Sequence, residues 1–109
     1  MRNNRAFDGQ DVKYLVQIET PGFDMAADDF NLVIRRGDKE KTFQKADLVD
    51  DVTIVEGVEQ HTYYLCFNTG YFGPGELTCI VTAYANDTDF EGGIRTEIEK
   101  FTFQTVDCV

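Results

Sequence analysis

The sequence predicts an all-β protein, an immunoglobulin-like β-sandwich of two sheets and about seven strands, and three observations lead there. Several short segments alternate apolar and polar residues with the period of two that a half-buried strand requires. Glycine, proline, asparagine and aspartate separate those segments at intervals of about 8–12 residues, the spacing of strands joined by tight turns. The length, 109 residues, is enough for one domain to bury its own core without a metal or disulfide staple. The hallmarks of antibody domains are missing: there is no Trp, no Cys before Cys66, and Leu77 stands two residues before Cys79 where a tyrosine corner carries Tyr. A small closed barrel is the competing architecture.

Residues 1–10 carry no strand pattern and are expected as a flexible tail ahead of a single domain over 11–109. From Asp11 to Glu19, Val12, Tyr14, Val16 and Ile18 face one way and Lys13, Gln17 and Glu19 the other. Pro21 and Gly22 end that strand, and residues 24–29 suit one helical turn. Phe30, Leu32 and Ile34 then point inward along a strand that turns at Gly37-Asp38 into KTFQK. In the segment over 46–60, a short strand at Val52–Val55 and a turn at Glu56-Gly57 are expected, although the composition also suits a loop.

Residues 63–85 form the densest apolar stretch, read as two strands joined in a hairpin by Phe72-Gly73-Pro74-Gly75. Pro74 lacks an N–H and fixes φ, while Gly73 or Gly75 is expected at positive φ, so the chain reverses there. Cys66 and Cys79 flank the turn symmetrically, but three cysteines without CxxC spacing fit neither a disulfide framework nor a zinc site, so reduced thiols are expected. In the last strand the apolar residues change phase, from Ile94 and Ile98 to Phe101 and Phe103, which predicts a β-bulge near Glu99-Lys100.

A net charge of −10 disfavours nucleic acid and anionic membrane surfaces as partners. The charge is unevenly placed. No Lys or Arg occurs between Ala46 and Ile94, whereas Arg35, Arg36, Lys39, Lys41 and Lys45 are half of the 10 basic residues. No apolar run is long enough to span a membrane and the N-terminus lacks a signal-peptide core, so neither membrane insertion nor export is expected.

The absence of Ser and the single His61 exclude a Ser-His-Asp triad, and an odd separation puts His61 and Cys66 on opposite strand faces. No enzyme activity and no cofactor are expected. Asp87, Asp89 and Glu91 occupy the odd positions of a calcium-loop pattern that lacks its acidic twelfth residue, Ile98 standing there, so only weak calcium binding is expected. Tyr71, Phe72 and Phe90 are aromatic residues near loops; Phe72 and Phe90 suit plugging the ends of the core better than stacking on sugars.

The segments GFDMAADDF, the strand ending RRG, and YYLCFNTGYFGPGELTCIVTAYANDTDFEGGIRTE together resemble uncharacterised β-sandwich modules of phage and prophage tail-appendage proteins, tail-fibre or baseplate-associated, from gut bacteria. The similarity spans roughly Val12 to Glu99. It implies a structural or assembly role in the virion, reached from the cytoplasm, with other appendage proteins or copies of the chain itself as partners and no cofactor. Within that setting Arg35, Arg36, Lys39 and Lys41 are expected to steer association and Phe72 to close the contact. A carbohydrate- or cell-surface-binding sandwich, weakly stabilised by cations, is the alternative.

Overall fold

The computed structural model describes residues 5–106. Eight strands, β1 (Arg5–Phe7), β2 (Asp11–Val16), β3 (Phe30–Arg36), β4 (Lys39–Gln44), β5 (Val49–Val55), β6 (Val58–Asn68), β7 (Gly75–Asn86) and β8 (Ile94–Val106), form two sheets. Their orders are β1-β8-β7-β3-β4 and β2-β6-β5. The sheets pack face to face as a β-sandwich, seven strands of which are longer than three residues.

The alternation read from the sequence sets the inner faces. Phe30, Leu32 and Ile34 of β3 and Leu77 and Cys79 of β7 are fully buried, and Val16, Tyr63, Leu65 and Phe67 meet them from the other sheet. Each large apolar side chain so placed contributes about 1.5–3 kcal/mol relative to exposure. Aromatic pairs join the sheets: Phe30 lies edge-on to Tyr63 at 5.7 Å, and Tyr14 stacks on Phe101 at 5.1 Å.

The dense apolar stretch is not a hairpin. β6 and β7 belong to different sheets, and the chain between them arches across the sandwich. Phe72 is the reason. Its ring turns into the core, 1% exposed and edge-on to Phe67 at 6.2 Å, so the turn is folded over an apolar plug. Gly73 and Gly75 both take positive φ, +78° and +136°, and a Cβ on Gly75 would lie 2.5 Å from Nε of Arg36, which packs over the arch. Cys66 and Cys79 consequently stand in different sheets.

No bulge interrupts β8. Its register with β7 is continuous from Gly75↔Thr105 to Asn86↔Ile94, through Glu99 and Lys100. Ile94 and Ile98 simply remain exposed on the outer face. Because β1 pairs with β8 only at Gln104–Val106, the first half of β8 is a sheet edge, and the face it shares with Phe101 carries Arg95, Glu97 and Glu99. An edge tolerates polar residues there.

The expected tail also ends early. Arg5–Phe7 pair parallel with β8, and Ala6 is buried. The following turn is tied to the arch by the buried Thr69, whose hydroxyl donates to the Phe7 carbonyl at 2.7 Å and accepts from the Gln10 N–H at 3.1 Å. In the loop after β2, the Asp28 N–H donates to the Asp24 carbonyl at 2.8 Å, closing the single turn expected there.

Candidate interaction surface

The segment with no buried face becomes the most distinctive surface. β5 is an edge strand, paired only with β6, and every one of its residues is exposed. Together with the start of β6 it forms a ribbon closed by Glu56-Gly57, both at positive φ (52° and 79°), the turn whose twist matches a two-residue hairpin. Val49, Val52, Ile54, Val55 and Val58 are all exposed, Ile54 by 72%. They lie on both faces of the ribbon, which is why no single alternating pattern announced it. The closing pair Val55↔Val58 exchanges hydrogen bonds and such pairs alternate along the ladder, so the N–H groups of Val52 and Ile54 point away from β6. Asp50, Asp51, Glu56 and Glu59 make this surface acidic.

At the ribbon's base, His61 Nδ1 lies 2.9 Å from Asp50 Oδ1 and Nε2 lies 3.4 Å from Glu59 Oε2. The hydrogen bond with Asp50 is the main cause that lifts the imidazole pKa above its ordinary value. Beside this group the two sheets part in an open cleft of about 580 Å³ lined by Asp29, Gln44, Lys45, Leu48, Asp50 and Tyr63, among others. Lys45 closes one side: its ammonium donates to the carbonyls of Ala26 and Asp28 at 2.9 and 2.8 Å and lies over the Phe30 and Tyr63 rings. Burial, then Asp50 and Asp24, push the Tyr63 phenol pKa up, so it stays neutral.

The basic hairpin serves the fold. Arg35 pairs with Glu40, Arg36 donates to the Phe72 carbonyl at 2.9 Å, and Lys39 donates to the Tyr71 carbonyl at 3.1 Å. Lys41 lies over the Phe43 and Tyr71 rings. Carbonyls of an arch that makes few ladder bonds need donors, and these side chains supply them. Phe72, buried in the core, cannot close an intermolecular contact; its neighbour Tyr71 is the exposed ring.

The carboxylates Asp87, Asp89 and Glu91 do not assemble a cation site. Asp87 Oδ1 accepts the Asp89 N–H at 3.0 Å and Oδ2 accepts from Arg95; the Asp89 amide first, and then the Arg95 guanidinium, hold the Asp87 pKa below the usual carboxylate range. Arg95 also donates to Thr20 and to the Pro21 carbonyl, joining two loops. Among the described residues no three His, Cys, Asp or Glu side chains are grouped as a metal ion would need. The first residue of the expected weak calcium pattern, Asp87, has its carboxylate engaged by a backbone amide and a guanidinium. Tyr71 and Phe90 are both half exposed, but they flank opposite ends of the 12-residue β7, about 40 Å apart along an extended strand, and form no joint platform; Phe90 plugs nothing.

Among the described residues no helix is long and apolar enough to cross a membrane. Compared with known proteins, the chain matches no family model, no curated protein and no solved structure.

Proposed function

We propose that this chain is a non-enzymatic, immunoglobulin-like interaction module that acts through protein–protein association in a phage or prophage virion appendage. The observation that carries the proposal is the β5–β6 ribbon, an unpaired strand edge with apolar side chains on both faces. Exposed edges of that kind template pairing with another chain unless they are blunted, and among the described residues β5 is blunted only by its own acidic side chains. The strand order supports the immunoglobulin-like assignment: β8-β7-β3-β4 opposite β2-β6-β5 follows the G-F-C-C′ and B-E-D arrangement of such sandwiches. The resemblance to tail-appendage modules supports the virion setting, with assembly in the cytoplasm.

Sedimentation at low and high salt, with the chain alone and mixed with appendage proteins encoded beside it, tests the proposal. A complex with one of them is the expected result. A protein that stays monomeric, binds none of them, and binds a glycan on an array with micromolar affinity would be a surface-binding sandwich instead.

A further inference from the structure

Resting on the reading of an interaction module, we infer that the free edge of β5 takes an extended, cationic segment of another protein as an added strand. Two features of the edge point to a strand. The N–H groups of Val52 and Ile54 face outward, and the side chains from Val49 to Val55, apolar or acidic apart from Thr53, are all exposed. An added strand would place alternate side chains on the inner face, beside Asp50, Val52 and Ile54. The residue opposite Asp50 then lies beside the cleft of about 580 Å³, whose lining includes Lys45 as well as Asp29 and Asp50.

Charge selects the occupant. No Lys or Arg lies between Ala46 and Ile94, so the ribbon presents Asp50, Asp51, Glu56 and Glu59 against the single imidazole of His61, and opposite charges across paired strands are favourable where like charges are not. A second copy is a poor occupant. Two chains of net charge −10 repel, and Arg35, Arg36, Lys39, Lys45 and Arg95 are hydrogen-bonded within the chain that would have to offer them.

The test uses a capped synthetic peptide of alternating valine and lysine, about as long as an ordinary strand, and the same peptide with glutamate for lysine. Binding is followed by amide NMR and hydrogen exchange. The lysine peptide is expected to bind, to protect the Val52 and Ile54 amides from exchange, and to weaken as salt rises; the glutamate peptide is expected not to bind. Asp50→Asn with Asp51→Asn should weaken binding by roughly tenfold, the loss of two cross-strand charge pairs. Val52→Pro removes an outward donor and should abolish it, with the His61 and Gln60 amide signals reporting that the ribbon persists. Equal binding of both peptides, shifts confined to other strands, or protection of β5 that grows with protein concentration alone would each overturn the inference. If the chain instead binds an appendage protein through another surface, the inference fails while the interaction reading stands; if it binds neither protein nor peptide, both fail.

Discussion

His61 Nδ1 lies 2.9 Å from Asp50 across the base of the β5–β6 ribbon, and Glu59 approaches its other ring nitrogen at 3.4 Å. An imidazole placed between two carboxylates is stabilised as the cation, so its folded pKa is raised above 6.5, chiefly through the Asp50 hydrogen bond. The stabilisation is complete below the unfolded pKa and is lost as pH rises through the folded one. The His61 ring protons should therefore titrate with a midpoint above 6.5, and nearer to 6.5 in Asp50→Asn. His61→Gln should lower the melting temperature more in mildly acidic than in mildly alkaline buffer. A wild-type midpoint at or below the ordinary histidine value would show that the pairing does not persist in solution.

Cys66 is exposed on the outer face of its sheet, while Cys79 is fully buried in the opposite sheet with its thiol pKa pushed up to about 12 by burial. A thiol-specific reagent should modify Cys66 in the native protein and reach Cys79 only after unfolding. Peptide mapping by mass spectrometry distinguishes the two; a cross-linked peptide containing both would contradict the arrangement of the sheets. Cys108 lies outside the described residues.

The arch between β6 and β7 should be sensitive at two points. Phe72→Ala removes the plug from the core and should cost about 3–5 kcal/mol. Gly75→Val combines a φ of +136° with a close approach to the Arg36 guanidinium and should cost about 1–3 kcal/mol, more than Gly73→Val, whose Cβ would meet Arg36 only at 3.9 Å. Urea unfolding of the three variants gives the order, and an arch read wrongly would leave Gly73→Val and Gly75→Val with wild-type midpoints.

Glu56 holds a left-handed φ of 52° at the ribbon's turn, a conformation that asparagine adopts at lower cost. Glu56→Asn should stabilise the ribbon by about 0.5–1 kcal/mol, seen as slower hydrogen exchange at Val55 and Val58. Unchanged or faster exchange there would mean that the turn has another geometry.

Apart from β1, which lies in the expected tail, the strands were legible from local pattern. Period two in Val12 to Ile18 and in Phe30 to Ile34 names the inner face because a pleated strand has only two faces to choose between, and Gly37 and Gly57 mark reversals because both take a positive φ that few other residues adopt. The ribbon, by contrast, was visible only as a strand and a turn. With apolar residues on both faces and none buried, β5 carries no pattern that separates an interaction edge from a loop.

Tertiary structure decided what pairs with what. Backbone hydrogen bonds are the same for every strand, so nothing local in 63–85 distinguishes a hairpin from an arch; that choice rests on Phe72 finding a pocket between sheets built from residues far along the chain. The phase change in β8 was likewise ambiguous until β1 was seen to cover only its last residues, leaving Ile94 and Ile98 at an open edge instead of at a bulge. Arg36, Lys39 and Lys45 look like a free basic patch in sequence because a side chain's hydrogen-bond partner is chosen in space. Here those partners are the carbonyls of two loops that the fold brings beside them.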